Sequence, residues 1–365
     1  MDVKKVLILA NDTTYVYNLR REVIEKLIEN GCTVMVAGEL LQHQEELQEM
    51  GCTLLSISAG RHGTNPLDDA KLLCKYLGIL NNQKPDVVLS YNIKPNVYGG
   101  MACRMRGVRY FPNITGLGTP VENPGPMQKL TTWLYKLGVS GAECVFFQNT
   151  DNEKFFRDRK MLNRKTRTQL LPGSGVNLEA HPVRPYPEDG KVHFLFAARI
   201  MKQKGIDLFL AAARKYHSED VIFDVCGMCD DENYLKVLNE AHEQGIVVYH
   251  GLQKDMNPFY EQCSCFLYPS YYPEGMSNVL LEAAASGRPA VAADRGGCRE
   301  TVDDGVTGYI VPVNDEAAVL DAVEKFLSLT WEQRRDMGLA ARAKMEKEFD
   351  RQIVVEKYLQ QVSEA

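Results

Sequence analysis

The chain has 365 residues, a formal net charge of −6, 45% hydrophobic residues and 25% charged ones. That is the balance of a folded globular protein of about two domains, and it excludes a mostly disordered chain. The surplus of acid argues against a nucleic-acid reader working by bulk charge; residues 1–190 nevertheless carry +3 and the remainder −9, so the first half is free to face an anionic surface.

The first residues, MDVKKVLILANDTTY, hold an apolar core that meets Asn11 and Asp12 where a secretion signal would still be apolar. They predict a first buried strand, and no run in the chain approaches the roughly 18 apolar residues of a membrane span. An amphipathic stretch from Asn18 to Glu29 follows, then TVMVAG, the helical LLQHQEELQEM and CTLLSIS. A helix containing LLCKYLGIL leads to PDVVLSY, then RYFPNIT, a helix from Met127 to Leu137, and CVFFQN. Short apolar runs separated by helices predict a parallel sheet covered on both faces, a doubly wound α/β domain.

Leu171 to Gly190 is rich in Pro and Gly and is the best linker candidate. After it the alternation restarts: HFLFAAR, a helix from Asp207 to Tyr216, VIFDVCG, a helix from Asn233 to His242, VVYHG, CFLYPS, a helix from Asn278 to Ser286, PAVAAD and GYIVP. From Asp315 onward the pattern is helical. The expected architecture is two Rossmann-like domains in tandem: residues 1–172, a linker at 173–190, a second domain at 191–345, and a terminal helix at 346–365 returning to the first domain. Ligands of such sheets bind beyond the carboxyl ends of the strands, so chemistry is sought just after each apolar run.

Ten cysteines are scattered, among them the pair Cys226 and Cys229. No second CxxC or His cluster completes a zinc set, and the spacing is not a secreted disulfide framework; buried thiols of a reduced, cytoplasmic protein are expected.

The most informative segment is YPEGMSNVLLEAAASGRPAVAAD. Glu274 lies in a loop before a helix that Ser277 or Asn278 would cap, and Glu282 lies about two turns inside it. The eight-residue step from one to the other corresponds to roughly 12 Å of helix, comparable to the span from sugar to ribose in a nucleotide sugar. The amides of Gly275, Met276, Ser277 and Asn278 would face an anionic or hydroxyl-bearing ligand. Alone, the pair reads more readily as two ordinary helix acids, one of them favoured by the helix dipole.

In its surroundings the segment resembles the E-x7-E motif of the retaining family-4 glycosyltransferases of GT-B fold. The resemblance implies that Glu274 contacts donor-sugar hydroxyls and Glu282 the ribose. AARIMKQKGIDLFL is similar to the family's G-R-x-x-x-x-K-G element, with Ala198 in place of the usual Gly. It implies that Arg199 and Lys204 bind the donor pyrophosphate and stabilise the leaving group, the Arg by its fork and the Lys as a point charge. Gly251 and Leu252, closing VVYHGLQKD, fall where the family places the nucleobase.

In the first half, SYNIKPNVYGG and PNITGLGT resemble the lipid-linked-sugar branch, which includes the enzymes adding N-acetylgalactosamine to undecaprenyl-diphosphate sugars and capsule-assembly relatives. Many members carry His or Glu near Thr115; here Thr115 and the amides of Gly116 to Gly118 stand instead. Lys94 is a candidate for a phosphate. The paired-Gly loop after the first strand is absent, and NDTTYVYN offers Tyr15 and Asn18 as acceptor-site candidates. The stretch from Lys154 to Arg167 holds seven cations, with Phe155 and Phe156 beside them and Trp133, Leu134 and Tyr135 on the preceding helix; peripheral contact with an anionic membrane competes with a solvated basic face over a core helix.

The expectation is a cytoplasmic glycosyltransferase of polysaccharide assembly, working at or near the inner face of the membrane. It would use a UDP-sugar as co-substrate, with no cofactor, no metal and no nucleic acid, and a lipid-linked glycan as acceptor. A soluble-acceptor transferase, a nucleotide-sugar epimerase and a non-catalytic nucleotide-sugar-binding protein are the alternatives.

Overall fold

The computed structural model describes residues 4–57, 65–118, 121 and 124–363. The chain divides into two compact units, Met1–Ser174 with Arg351–Ala365, and Gly175–Asp350.

The first unit is built on seven parallel strands, β1 (Lys5–Asp12), β2 (Thr33–Glu39), β3 (Thr53–Ser56), β4 (Val87–Tyr91), β5 (Arg109–Ile114), β6 (Cys144–Phe147) and β7 (Arg167–Leu170), in the order β3-β2-β1-β4-β5-β6-β7. Between them run α1 (Thr13–Glu29), α2 (Gln44–Glu49), α3 (Pro66–Gln83), α4 (Gly100–Arg106), α5 (Pro126–Val139) and α6 (Thr150–Asp158). Val6 to Ala10 are buried, as a parallel sheet covered on both sides requires.

Helix α1 starts five residues ahead of the expected Asn18, because Asp12 caps it by accepting from the Tyr15 amide at 2.8 Å. Strand β7 was not expected: Arg-Thr-Gln-Leu has no apolar run, and its edge position beside β6 leaves it half solvated. The terminal helix α13 (Arg351–Ser363) packs in this unit, where Tyr358 is buried edge-on against Phe146 at 5.0 Å and donates to Asn113 Oδ1.

The second unit repeats the plan with six parallel strands, β8 (Val192–Ala197), β9 (Val221–Cys226), β10 (Val248–Gly251), β11 (Cys265–Tyr268), β12 (Ala290–Ala293) and β13 (Gly308–Val311), ordered β10-β9-β8-β11-β12-β13. Its helices are α7 (Ile206–Tyr216), α8 (Glu232–Glu243), α9 (Asn257–Gln262), α10 (Asn278–Ala285), α11 (Glu316–Ser328) and α12 (Trp331–Lys344). The core holds Phe194, Phe196, Phe209, Phe223 and Phe326, each at 0–1% exposure, so each contributes about 1.5–3 kcal/mol of burial. All six strands coincide with the apolar runs of the sequence, and both units are doubly wound Rossmann-like domains.

The Pro/Gly-rich stretch packs within the second unit from Gly175 onward. The buried Arg288 guanidinium donates to the carbonyls of Pro185 at 2.7 Å and Arg184 at 3.3 Å, and Tyr186 donates to Ser264 O at 2.8 Å. Prolines lack amide donors but keep their carbonyls; Arg288 takes that of Pro185, and Trp331 Nε1 donates to that of Pro187 at 2.6 Å.

Candidate active site

Four consecutive strands of the second sheet, β10, β9, β8 and β11, present their carboxyl ends side by side. Beyond β8 the chain passes Arg199 and enters a 3-10 turn at Lys202–Lys204, closed by Gly205 in the left-handed region (φ +83°). A Cβ at Gly205 would lie 2.5 Å from Pro269 O, so only glycine lets this loop press against the chain leaving β11. Tyr271 N donates to Gln203 O at 2.9 Å, which staples the two segments together.

This docking sets Lys204 beside Tyr268, the last residue of β11. Lys204 Nζ donates to the Tyr268 hydroxyl at 3.0 Å and to Glu274 Oε1; the Tyr268 hydroxyl donates to the same Oε1 at 3.0 Å. The Tyr272 ring centroid lies 4.8 Å from the ammonium, within cation–π range. The side chains of Lys204 and Glu274 are only 12% and 16% exposed, so solvent screens their attraction little. Burial and the neighbouring Glu274 carboxylate hold the Tyr268 hydroxyl well above the ordinary phenol range. It therefore stays a proton donor.

Glu274 is placed by the loop ahead of α10. Gly297 (φ +92°) packs there so closely that a Cβ would meet Gly275 O at 2.8 Å, and its carbonyl accepts from Ser277 N at 2.8 Å. Two expectations change here. Ser277 occupies the cap position of α10 but its side chain caps nothing; the hydroxyl is buried without a hydrogen-bond partner. Its amide is spent on Gly297, so it is not among the donors offered to a ligand. Met276 packs with Leu281 and Ala284 in a small apolar cluster, leaving only its backbone for binding. Asn278 and Gly275 open and precede the helix as expected. Glu282 lies about one turn inside, nearer the start than the sequence suggested because the helix opens only at Asn278, and accepts from the Tyr260 hydroxyl at 2.8 Å.

Gly251 ends β10 with φ +67°, its carbonyl held by Gly227 N at 2.8 Å, and Leu252 is exposed beyond it. Arg199 is exposed at the end of β8. Beneath these ends, Asp224 on β9 lies between His193 on β8 and His250 on β10, each imidazole 2.8 Å from the carboxylate. Those two hydrogen bonds outweigh burial and hold the Asp224 carboxyl below its ordinary value of 3.8.

The first unit's candidates fare differently. Lys94 is not a loose cation: Asp69 lies 3.2 Å from it and accepts from Tyr98 at 2.7 Å. The Tyr15 hydroxyl accepts from Arg20 at 3.2 Å, and the buried Arg20 guanidinium lies 4.4 Å from the Tyr91 ring centroid. Asn18 is exposed. Thr115 is half-buried, and Gly116 and Gly118 adopt positive φ, +130° and +67°; Thr119 lies outside the described residues.

The basic stretch is less naked than its sequence reads. Glu153 pairs with Arg157 at 2.6 Å, Asp158 with Lys154 at 2.5 Å, and Glu143 with Arg167 at 3.4 Å. Phe156 and Tyr135 face the core, whereas Trp133, Leu130 and Met127 are exposed along α5. Among the described residues, no group of three or more His, Cys, Asp and Glu is arranged to hold a metal ion. No described helix is long and apolar enough to cross a membrane. The ten thiols are free; burial pushes Cys226 up to about 12, which argues against redox chemistry at the CxxC.

Tyr268, Tyr272 and Tyr260 were not singled out from sequence. Tyr268 carried a signal: it ends an apolar run, at the carboxyl edge where ligands bind.

Residues 180–344 match the family model "Glycosyl transferases group 1", and residues 5–149 match "Glycosyl transferase 4-like". The chain is 25% identical, over 96% of itself and of the relative, to the N,N'-diacetylbacillosaminyl-diphospho-undecaprenol alpha-1,3-N-acetylgalactosaminyltransferase of Campylobacter jejuni. It is 26% identical, over 79% of each chain, to the capsular polysaccharide biosynthesis glycosyltransferase CapM of Staphylococcus aureus. In fold it is similar to Anabaena HepE solved with UDP and glucose, with a TM-score of 0.80, 16% identity, and 99% of this chain and 100% of that one covered.

Proposed function

The chain is a glycosyltransferase of GT-B fold, with a group 1 C-terminal unit and a 4-like N-terminal unit, and from that premise we propose that it moves a sugar from a UDP-sugar, with retention, to a hydroxyl of a lipid-linked glycan during assembly of a bacterial surface polysaccharide. The observation that carries the donor site is the buried Lys204–Tyr268–Glu274 cluster at the strand ends, with Glu282 about one turn along the adjacent helix. The full-length likeness to a transferase named for a diphospho-undecaprenol acceptor supports the lipid-linked substrate. The likeness to CapM supports the polysaccharide setting.

In this reading Lys204 and Arg199 meet the donor diphosphate, and the start of α10 adds its dipole. Glu274 takes sugar hydroxyls, and Glu282, steadied by Tyr260, takes the ribose. Gly251 and Leu252 offer backbone to the base. The acceptor hydroxyl attacks from the side the diphosphate leaves, and a departing phosphate oxygen takes its proton. No side-chain nucleophile is needed. The leaving charge is met by side chains and amides, so no metal or cofactor enters. Thr115, Gly116, Gly118, Tyr15 and Asn18 are acceptor-side candidates, and Lys94 would have to exchange Asp69 for a phosphate.

The chain works in the cytoplasm, touching the inner face of the membrane through α5, where Trp133, Leu130 and Met127 stand among Lys129 and Lys136. Flotation with anionic vesicles at low salt tests this; a protein that stays at the bottom removes the membrane contact and favours a soluble acceptor.

A thermal-shift screen against UDP-, GDP- and ADP-sugars tests the donor site, because a ligand of the folded state raises the melting temperature. A shift with a UDP-sugar, reduced in Glu274→Gln, is expected. No shift with any nucleotide at millimolar concentration would refute the donor site. Turnover of the donor to a second sugar nucleotide without acceptor would favour an epimerase, and binding with no turnover a non-catalytic protein.

A further inference from the structure

Lys204 has two claims on it. Here its ammonium lies on the Glu274 carboxylate, while the donor site described above assigns it to a diphosphate. A lysine is a flexible, strongly hydrated point charge, so an arriving diphosphate, carrying more charge than one carboxylate, draws it away. Glu274 must nevertheless stay oriented to read sugar hydroxyls.

Tyr268 has the properties for that task. Its hydroxyl accepts from Lys204 and donates to Glu274 Oε1, both at 3.0 Å. Its ring is 1% exposed and packed against Phe196 and Phe266, with centroids at 6.0 and 5.7 Å. It ends β11, whose Phe266 to Tyr268 are in register with Ala290 to Ala292 of β12. Pro269 behind it is locked against Gly205. A phenol held this way is a rigid donor; a lysine side chain is not.

We propose that Tyr268 is a positioning residue for sugar recognition: its fixed hydroxyl holds the Glu274 carboxylate in place when Lys204 transfers to the donor diphosphate. Tyr268 acts through Glu274 and does not itself touch the donor. This rests on the donor-site reading above.

The test compares Tyr268→Phe, Glu274→Gln and the double variant. Turnover is measured with the UDP-sugar that the screen identifies, and binding with UDP, which lacks the sugar. Tyr268→Phe keeps the ring and removes one charge-assisted hydrogen bond, so kcat/KM for the UDP-sugar should fall about tenfold to a hundredfold. UDP affinity should stay within about twofold, because the phosphates do not report on Glu274. The double variant should be slower than Glu274→Gln by much less than the Tyr268→Phe factor, since the neutral amide of Glu274→Gln keeps only a weaker, uncharged contact for Tyr268 to lose. A Tyr268→Phe loss that appears equally in UDP binding would show a merely structural role and overturn the inference. So would a double variant slower than Glu274→Gln by the full Tyr268→Phe factor. If Glu274→Gln loses rate and Tyr268→Phe does not, this inference alone falls. If Glu274→Gln turns over like the wild type, the donor-site reading fails and takes this with it.

Discussion

Breaking the Lys204–Glu274 pair from one side should destabilise the ligand-free protein far more than removing both charges. The two side chains are 12% and 16% exposed, close to the buried regime in which loss of one partner costs about 3–5 kcal/mol by stranding the other charge. The remaining exposure, and the Tyr268 hydroxyl still within reach, reduce that to about 2–4 kcal/mol for Glu274→Ala or Lys204→Met. The Gly175–Asp350 unit falls in the size class where each kcal/mol shifts Tm by roughly 2–4 °C. Either single variant should therefore melt about 5–15 °C below the wild type. The double variant Lys204→Met with Glu274→Gln strands no charge and should recover most of that loss. Calorimetry without ligand measures all three. If the double loses as much as the singles combined, the two side chains are uncoupled and the reasoning fails. The same arithmetic makes Glu274→Gln, which keeps an acceptor oxygen for Tyr268, a cleaner kinetic probe than Glu274→Ala.

Arg288→Leu should cost about 4 kcal/mol or more, because it leaves the carbonyls of Tyr260, Pro185 and Glu261, now bonded at 2.6, 2.7 and 3.1 Å, without their donor; a chemical denaturation midpoint close to that of the wild type would contradict this. Gly205→Ala forces a side chain into φ +83° and onto Pro269 O. It should lose at least about 2 kcal/mol and most of the transferase rate, whereas a fully active and equally stable variant would show that the loop is not pressed there. Asp224→Asn should flatten the acid side of the stability profile. The folded carboxyl sits below its ordinary 3.8, so it contributes stability above that value, and the contribution is lost as pH falls through the folded value. Melting curves taken from pH 6 down to 3 check this, and an unchanged acid slope refutes it.

The strands were legible because a parallel sheet buried on both faces demands runs such as VLILA and FLFA, which few other structures need. β7 was not, since Arg167 to Leu170 hold an edge by backbone pairing with β6 and need no apolar signature. The start of α1 was misplaced because Asp12 reads as a loop acid until its carboxylate is seen accepting from Tyr15. Candidate residues with their own local motif, Glu274, Glu282, Arg199 and Lys204, could be named one at a time. What they touch was not. Lys204 meets Glu274 only because β8 and β11 are neighbours in the sheet, and Lys94 meets Asp69 through contacts that no local spacing announces. The hydroxyls of Tyr268 and Tyr260 belong to the same class, as long-range partners of residues that sequence could name.

The seam between Gly205 and Pro269 has a mechanical consequence. With the lysine-bearing turn wedged against the end of a core strand, its backbone has little travel, and whatever distance Lys204 covers to reach a ligand it covers by rotating its own side chain. In the donor site proposed above, the reach of one lysine, measured from a fixed Cα, would then set how deep a diphosphate can lie, so a donor of different length would be accommodated by changing the floor of the site and not by flexing this loop.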